Sequence, residues 1–563
     1  MCFERGCGRI LSDLKMKGER TMKVKTWLAN EIEFVSEKHY DNPFEDVDID
    51  VVFTLGRKKM TVPAFWDGGD IWRVRFALPA AGKWKYETKT TDASNKGFIA
   101  SGTVECVPYD GELEIYKHGF VKTVPNVRYF MYNDGTPFFY LGDTHWNFAC
   151  EEFDSAGEHA DGLECDSHFK YIVDKRVQQG FNVYQSEPIG AKYNLSRGLD
   201  EKAVEGFRDL DRRFKYIADA GLVHANAQLL FPRELCAIER YDDKKYIYRL
   251  ARYWAARYSA YPVLWTLGQE VDNDFYFNRG DQKRFTKETN PFKLIAAGLY
   301  ENDPHRHPIT GHMESCSLWT GFGGDGTCVS TSSFREVEGH TWYGYQWSPW
   351  GTGPIDPEFA RDGWVNGQGK VLILYESRYD YLWTGHFGAR KQGWLAYLNG
   401  LYGYGYGAID IWLYKSKYDV DKTSNDGFEE ITPEFKAKHW AESVEFETAY
   451  QMGYMKDFFM NLEWWKLIPR FNSPAFFIAE KENFYSLASD ERNTIVIYFF
   501  GKDKFETGML TNLDDATYSY QWFNPRTGVY SEKRTFVPDV HRTYKVETKP
   551  DKLDWVLLVK KVK

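Results

Sequence analysis

Two unbroken apolar runs, each followed by a glutamate, constrain this chain more than any other feature. The run 263–267 stops at Gly268 and leads to Glu270, and the run 371–374 leads to Glu376. Unbroken aliphatic runs are typical of parallel strands that are buried on both faces. In α/β barrels the carboxyl ends of such strands meet at one face, where the chemistry takes place. The two glutamates are therefore predicted to lie near each other at one end of a parallel sheet.

Segments with strand and helix patterns alternate through the middle of the chain. Eight of them read as strands, namely 137–141, 181–188, 222–232, 263–267, 307–313, 338–348, 371–376 and 407–414. Amphipathic helices are predicted between them, at 167–180, 207–221, 246–258 and 291–300, with a closing helix at 442–467. This order predicts the α/β class, as a (β/α)₈ TIM barrel spanning residues 114–472.

The flanks of the chain have a different pattern. Short alternating strands with Gly, Asn and Asp turns predict an N-terminal β-sandwich at 22–113 and a C-terminal β-sandwich at 473–563. The N-terminal module is expected to pack on the barrel and shape its rim, with lectin-like binding as the alternative. Residues 1–21 fit neither pattern, and we interpret them as a disordered extension before a natural start at Met22.

Composition and charge exclude several classes of partner. The net charge of −10 argues against nucleic acid and against anionic membranes, both of which favour basic patches. No apolar run is long enough for a signal peptide or a transmembrane helix, so a cytoplasmic location is expected. The eight cysteines form no CxxC pair, which favours free thiols. No metal motif or nucleotide-binding loop is present, so no metal or cofactor is predicted, and the oligomeric state stays open.

A pair of carboxyl groups at strand ends suits the cleavage of a glycosidic bond. That reaction uses one protonated carboxyl to assist the leaving oxygen and one ionised carboxylate to attack the sugar. Glu270 and Glu376 belong to inferred strands four and seven, which face each other across an eight-stranded barrel. Tyr375 could donate a hydrogen bond to Glu376, and Gln269 could bind a sugar hydroxyl. The alternative is that both glutamates are ordinary acids in loops.

Other polar and aromatic residues at predicted strand ends form a candidate substrate cradle. Aromatic residues make up 17% of the chain, and their flat faces suit the stacking of sugar rings. Trp412 is the candidate floor for the sugar at the cleavage point. The remaining candidates for substrate binding are Asp143, His145, Trp146, Gln185, His312, Tyr345 and Gln346.

Four segments together carry a resemblance to a known family. They are HGFVKTVPNVRYFMYNDGTPFFYLGDTHWN at 118–147, WTLGQE at 265–270, VLILYES at 371–377 and YQWFNPRTGVY at 520–530. In this order the chain, from about residue 24, resembles the bacterial apiosidase-like glycoside hydrolases. The resemblance implies a clan-A-type barrel between two β domains, with Glu270 as the acid/base and Glu376 as the nucleophile. Gln269-Glu270 departs from the aspartate that apiose-releasing members favour, which weakens apiose as the substrate.

The sequence therefore predicts a retaining glycoside hydrolase that is exo-acting on plant or microbial oligosaccharides. The exo expectation follows from the missing signal peptide, because an enzyme inside the cell meets imported fragments. Two alternatives use the same residues. One is a non-catalytic carbohydrate-binding protein on a barrel scaffold, and the other is a transglycosylase.

Overall fold

The computed structural model describes most of the chain. The described residues are 22–149, 151, 153, 167–187, 195, 198–226, 240, 242–268, 292–314, 342–346, 357–366, 369–377, 379–380, 385–412, 439–479, 481–502 and 506–562. The predicted extension at 1–21 lies outside them. Across these ranges, no helix combines the length and the apolar character needed to cross a membrane.

Two sheets face each other at the start of the chain. One has five strands in the order β1-β8-β7-β3-β4, and the other has three in the order β2-β6-β5. The rings of Phe53 and Phe76, one from each sheet, lie 4.5 Å apart, so the two sheets share a core. Their strands are β1 Met22–Lys25, β2 Asn30–Val35, β3 Ile49–Leu55, β4 Lys58–Pro63, β5 Phe65–Trp66, β6 Ile71–Phe76, β7 Gly82–Thr90 and β8 Ser101–Val107.

A sheet of eight parallel strands forms the centre of the molecule, reached through a short hairpin of β9 (Phe130–Met131) and β10 (Pro137–Phe138). The strand order is β14-β13-β12-β11-β18-β17-β16-β15. These strands are β11 Tyr140–Thr144, β12 Val183–Ser186, β13 Val223–Asn226, β14 Val263–Trp265, β15 His312–Glu314, β16 Trp342–Gln346, β17 Val371–Glu376 and β18 Gly403–Tyr406. Because all the pairings are parallel, the carboxyl ends of the strands lie at one edge of the sheet.

The two outer strands of this sheet are also linked to each other. Trp265 of β14 forms a parallel bridge with Ile309, which precedes β15 in the chain. The Trp265 amide donates to the Pro308 carbonyl at 2.9 Å, and the Thr310 amide donates to the Trp265 carbonyl at 2.8 Å. The end of β14 is therefore hydrogen-bonded to the segment that precedes β15.

The closing helix predicted at 442–467 is wrong in extent, since the structure has two helices there, Trp440–Ser443 and Glu447–Met460. The four helices between the strands end within two residues of their predicted ends, and three of them start as closely, while Glu201–Asp219 starts six residues before its predicted start at 207. Ser167, Asp200 and Asp243 cap the starts of three of them, because each side chain accepts a bond from a backbone amide of the first turn. Gly180 and Gly221 follow two helix ends with φ of 91° and 84°, a conformation that glycine adopts without strain. The helices are α1 Pro43–Asp46, α2 Glu114–Lys117, α3 His168–Gln178, α4 Glu201–Asp219, α5 Lys244–Tyr258, α6 Phe292–Asn302, α7 Pro357–Asn366, α8 Gly385–Leu398, α9 Ile409–Trp412, α10 Trp440–Ser443 and α11 Glu447–Met460.

The eighth strand of the central sheet is not where the sequence predicts it. The prediction at 407–414 is wrong, since the strand is β18 and Ile409–Trp412 forms the short helix α9. A Cβ on Gly405 would lie 2.0 Å from the Tyr375 carbonyl oxygen, and one on Gly403 would lie 2.1 Å from the Ile373 side chain. Close packing against β17 therefore requires glycine, and the resulting Gly-Tyr alternation lacks the aliphatic residues that indicate a strand.

The C-terminal region also contains two sheets. One follows the path β19-β21-β22-β28-β24-β25 with β26 paired to β24, and the other has the order β20-β23-β27. Its contact with the central domain includes Arg390 of α8, which donates to both carboxylate oxygens of Asp554 at 2.8 and 2.9 Å. The strands are β19 Ile468–Pro469, β20 Phe477–Ala479, β21 Phe484–Ala488, β22 Thr494–Phe499, β23 Gly508–Leu510, β24 Tyr518–Asn524, β25 Val529–Tyr530, β26 Arg534–Phe536, β27 Tyr544–Lys545 and β28 Trp555–Lys561.

A buried group of charges joins the N-terminal sheets to α4 and α5. Arg257 on α5 donates to both oxygens of Asp211 on α4 and, at 3.0 Å, to Asp67 after β5. Arg75 of β6 reaches Asp211 from the other side, with Nη2 2.9 Å from Oδ2. We call Arg75, Arg257, Asp67 and Asp211 the interdomain charge cluster. Through it the N-terminal module packs on the central domain, as the sequence predicts.

One cysteine lies within the described residues. Cys106 of β8 is a free, buried thiol, and burial raises its pKa to about 11. The other seven cysteines lie outside the described residues, so the prediction of free thiols is tested here only for Cys106.

Candidate active site

Glu376 is the last residue of β17, and its carboxylate is almost fully buried, with 3% of the residue exposed. The hydroxyl of Tyr379 donates to Oε1. The indole N–H of Trp146, just beyond β11, lies 3.2 Å from the same oxygen and 2.7 Å from the Tyr379 hydroxyl. Hydrogen bonds offset the cost of burying a carboxylate, so this arrangement fixes the direction of the Glu376 side chain.

The second oxygen of Glu376 faces a histidine that also contacts another acid. His312 Nε2 lies 3.2 Å from Glu376 Oε2, and His312 Nδ1 lies 2.9 Å from Oε1 of Glu187. Glu376 is the last residue of β17, His312 is the first residue of β15 and Glu187 directly follows β12, and all three are buried. We call Glu187, His312 and Glu376 the carboxylate-histidine chain.

The charge of this chain is set by opposing effects on His312. Burial lowers the pKa of its imidazole, and the contacts with Glu187 and Glu376 raise it. The contacts have the larger combined effect, so the pKa is raised to about 10. The ring is therefore an imidazolium at neutral pH, with one N–H for each carboxylate. One positive charge thus lies between two negative ones.

Aromatic rings enclose the same group. The rings of Trp146 and His312 are stacked with 5.5 Å between their centroids, and the Tyr375 ring meets His312 edge-on at 5.0 Å. The bond predicted from Tyr375 to Glu376 is wrong, because Tyr379 and Trp146 are the donors. Tyr375 directly precedes Glu376 in a strand, so the two side chains leave the backbone in opposite directions.

The predicted partner acid, Glu270, lies outside the described residues, as does Gln269. The chain that leads to them is described as far as Gly268. The His312 amide lies 3.2 Å from the Thr266 carbonyl oxygen and 3.3 Å from that of Gly268. The chain thus enters the undescribed segment right beside the carboxylate-histidine chain.

Asp143 and His145, predicted to bind substrate, belong to a second buried group. His145 Nε2 lies 2.6 Å from Asp143 Oδ2, and His145 Nδ1 lies 3.3 Å from Glu151 Oε1. Arg176 of α3 donates to the same Asp143 oxygen at 2.7 Å. Among the described residues these side chains contact one another and not Glu376. Asp143 and His145 are 2% and 0% exposed, so this group fixes β11 on α3.

This second group gives folding stability a dependence on pH. Burial lowers the pKa of His145, and Asp143 and Glu151 raise it, to about 9 overall. A folded-state pKa above the ordinary value of 6.5 stabilises the fold fully below pH 6.5, and the effect is lost as pH rises through 9. The shift corresponds to roughly 3 kcal/mol. We expect the free energy of unfolding of His145→Gln to lie furthest below that of the wild type at pH 6, with the gap shrinking by about this amount by pH 9.5.

Urea unfolding at a series of pH values measures this gap for the transition in which the central domain unfolds, because a chain of several domains does not unfold in one step. His39→Gln is the matched control, because the His39 side chain is 86% exposed and its replacement should leave the curve unchanged. A gap between wild type and His145→Gln that stays constant from pH 6 to pH 9.5 would contradict the assignment of a protonated His145.

Gln185 lies inside the central sheet rather than at its mouth. Its amide donates to the Tyr375 carbonyl at 2.6 Å, and the residue is fully buried. Glu187, two residues further on, leaves the chain on the same side and reaches His312. Ser186 between them points the other way, with its hydroxyl 2.5 Å from His224 Nε2. The residue that contacts the site from this strand is therefore Glu187.

Three further candidates are described only through their backbone. Tyr345 and Gln346 lie in β16, where Gln346 pairs with Glu376 at an irregularity in the register. Trp412 ends helix α9. Their side chains lie outside the described residues, so their predicted contacts with substrate stay predictions.

Sequence reasoning missed two residues of the site, Glu187 and Tyr379. Glu187 could have been found from the two-residue alternation of β12, which puts it on the face of Gln185 and nearer the carboxyl end. Tyr379 follows β17 by three residues, and no periodicity predicts where a side chain beyond a strand points. Within the described part of the chain, no group of three or more His, Cys, Asp or Glu residues is arranged to hold a metal ion.

Three family models match successive parts of the chain. The model described as "Apiosidase-like, catalytic domain" matches residues 124–466, which is more than half of the chain. A domain of unknown function, DUF5060, matches residues 23–91. A model described as "Putative collagen-binding domain of a collagenase" matches residues 478–560. No curated protein matches the chain.

Solved structures of similar fold include two from Bacteroides vulgatus ATCC 8482. A "putative glycoside hydrolase" is 17% identical, covers 96% of this chain and 100% of its own, and superposes with a TM-score of 0.65. A glycoside hydrolase of family 5 is 16% identical, covers 79% of this chain and 94% of its own, and has a TM-score of 0.58. With the catalytic-domain match across 124–466, they confirm the resemblance seen in the sequence, and the chain belongs to the apiosidase-like family of glycoside hydrolases.

Proposed function

We propose that this glycoside hydrolase acts with retention of configuration, with Glu376 as the nucleophile and Glu270 as the acid/base. The observation that carries the proposal is the Glu376 carboxylate, which is buried at a strand end and faced by Tyr379, Trp146 and His312. A nucleophilic carboxylate must be ionised, desolvated and fixed in direction. Burial removes Glu376 from water, and these three contacts fix its direction.

In the first step an oxygen of Glu376 attacks the anomeric carbon. The bond from that carbon to the leaving oxygen breaks, and its electron pair goes to this oxygen, which takes the proton of Glu270. The product of the step is a glycosyl ester on Glu376. Tyr379 and Trp146 keep the carboxylate aimed while its charge is transferred to the new bond.

In the second step water replaces the enzyme at the same carbon. Glu270, now a carboxylate, takes a proton from the water as its oxygen attacks. The ester bond breaks and its electron pair returns to Glu376. The anion that reforms meets the His312 imidazolium again, so the departing carboxylate is stabilised by a charge already in position.

We also propose that the central sheet closes as a (β/α)₈ TIM barrel between an N-terminal and a C-terminal β-sandwich. The hydrogen bonds between β14 and the segment before β15 support closure. The family matches at 23–91, 124–466 and 478–560 support domains at 22–113, 114–472 and 473–563. In a closed barrel Glu270 and Glu376 face each other across the mouth, which suits the roughly 5–5.5 Å carboxyl separation of retaining enzymes.

The test is turnover on a panel of aryl glycosides and plant oligosaccharides, with the anomeric configuration of the first product followed by proton NMR. Retention supports the two-step mechanism, and inversion overturns it. Binding of a panel sugar without any turnover would favour the carbohydrate-binding alternative. Products longer than the substrate at high sugar concentration would favour transglycosylation.

Exo action on oligosaccharides stays a prediction. A timed digest of a plant polysaccharide that releases only mono- or disaccharides would agree with it. Accumulation of long intermediates early in the digest would contradict it.

Tyr379→Phe should lower kcat while leaving the fold intact. The change removes only the hydroxyl that donates to Glu376 Oε1. A hydrogen bond to a charged group contributes about 1.5–3 kcal/mol, so a loss of roughly 10- to 100-fold is expected. Steady-state kinetics on the best aryl glycoside measure it.

Tyr258→Phe is the matched control for this variant. The Tyr258 hydroxyl is buried and donates to the Phe207 carbonyl at 3.2 Å, away from Glu376. We expect its kcat to match that of the wild type. Unchanged kcat in Tyr379→Phe would show that the Tyr379 hydroxyl does not orient the nucleophile.

A further inference from the structure

The carboxylate-histidine chain contains one acid that the two-step mechanism does not use. Glu187 is fully buried, directly follows β12, and contacts His312 on the ring nitrogen opposite the one that faces Glu376. A fully buried acid is costly unless it is paired, and here its described partner is the site histidine. We propose that Glu187 is a positioning residue that keeps His312 doubly protonated, so that His312 always presents an N–H to Glu376.

The two ring nitrogens of His312 face different carboxylates. A neutral imidazole has one N–H and one lone pair, so it can donate to only one of the two carboxylates. With the N–H directed at Glu187, the lone pair on Nε2 would face Glu376 Oε2 at 3.2 Å and repel it. Only the imidazolium satisfies both acids, and the second acid stabilises that form.

The groups around His312 come from four strands, and the Trp146 ring beyond β11, which stacks on it, carries no charge. Glu187 lies beyond β12, and Glu376 and Tyr375 lie on β17. Beyond β14, the backbone carbonyls of Thr266 and Gly268 accept from the His312 amide and not from its ring. Burial keeps the pKa of Tyr375 well above its ordinary range, so this ring stays neutral when His312 titrates. Among the described residues, the charges that hold the imidazolium are therefore those of Glu187 and Glu376.

A second buried chain of the same kind provides the internal comparison. In this second chain His145 lies between two acids, Glu151 and Asp143, as His312 lies between Glu187 and Glu376. Asp143 takes the place of Glu376, but it binds Arg176 and does not react with a sugar. Replacing Glu151 with glutamine therefore removes a buried acid from a histidine without touching Glu376. The two replacements are similar in burial and chemistry, and they differ in whether the histidine faces the nucleophile.

The quantity measured is kcat/KM as a function of pH, on a substrate that needs no general acid. Its fall at high pH is called the alkaline limb. A 2,4-dinitrophenyl glycoside of the best panel sugar has such a leaving group, so the limb reports His312 rather than Glu270. In the wild type we expect it near pH 10, where the pKa of His312 lies. A neighbouring carboxylate raises a pKa by about 1–3, so Glu187→Gln should move the limb down by about 1–3 pH units. Glu151→Gln should leave it in place.

Two further variants keep the test decisive. Glu187→Asp retains the charge at a longer distance, so its limb should lie between those of the wild type and Glu187→Gln. His312→Gln cannot titrate, so the limb should vanish. Each variant is returned from high pH to pH 7 and assayed again, so that loss of fold is not counted as titration.

This inference rests on the proposed function, and the experiment distinguishes a failure of the inference from a failure of the proposed function. If Glu187→Gln and Glu151→Gln have the same limb as the wild type, Glu187 has no positioning role, while Glu376 can still be the nucleophile. If Glu376→Gln turns over the dinitrophenyl glycoside normally, the proposed function itself fails. If both glutamine variants lose activity uniformly at every pH, the two buried acids are only structural.

Discussion

Glu376→Gln should reduce kcat on the best aryl glycoside by roughly 10⁴-fold or more, which is about 5 kcal/mol of transition-state stabilisation. The amide has nearly the shape of the carboxylate but no charge, and it cannot form the glycosyl ester. It also brings an N–H toward a site that already holds three donors, from Tyr379, Trp146 and His312. The loss should therefore appear in kcat rather than in KM.

Azide distinguishes a lost nucleophile from a damaged fold. In Glu376→Ala the small anion can occupy the vacated space, attack the anomeric carbon and give a glycosyl azide of inverted configuration. The same treatment of Glu270→Ala should give the retained azide, because Glu376 still forms its ester. Glu105→Gln, an exposed glutamate on β8, is the control with unchanged turnover. Glu376→Gln with more than a tenth of wild-type turnover would show that another group is the nucleophile.

The sequence predicts the frame of the site better than its contacts. Unbroken apolar runs predict β14 and β17 because parallel strands are buried on both faces, and Glu376 lies where its run ends. The sequence does not predict β18, because this strand packs so closely against β17 that glycine is required where aliphatic residues would indicate a strand. The position of a strand can therefore be predicted from the sequence where burial determines which residue types occur.

Side-chain contacts depend on direction, which the strand ends alone do not predict. The predicted residues His312 and Trp146 contact Glu376. Asp143 and His145 come from the same strand end as Trp146, yet Asp143 binds Arg176 of α3 and His145 contacts Asp143 and Glu151. Gln185 and Glu187 share a face of β12, and only Glu187 extends far enough to reach His312. The polar residues at a strand end therefore divide between catalysis and internal support, and this division follows from the packing of neighbouring elements.

Arg257→Met should destabilise the junction between the N-terminal module and the central domain by about 3–5 kcal/mol. Methionine fills much of the arginine volume, so the expected loss comes from charge and hydrogen bonds rather than from a cavity. Arg257 is fully buried and bonds to Asp211, Asp67 and, at 2.9 Å, the Tyr253 hydroxyl. Without it Asp211 keeps only Arg75 as a compensating cation within the interdomain charge cluster, and Asp67 keeps only the more exposed Arg73 and Arg208.

Hydrogen exchange measures this loss where it occurs, since a chain of several domains does not unfold in one step. The amides of β6 and α5, which carry Arg75 and Arg257, should exchange through an opening whose free energy falls by that amount. Those of the C-terminal sheets should stay as in the wild type, because Arg390 and Asp554 join them to the central domain separately. Lys215→Ala on α4 is the control. Its ion pair with Asp219 is more than half exposed on both sides and contributes about 0.3–0.5 kcal/mol. Equal effects of the two replacements would mean that the cluster does not hold the domains together.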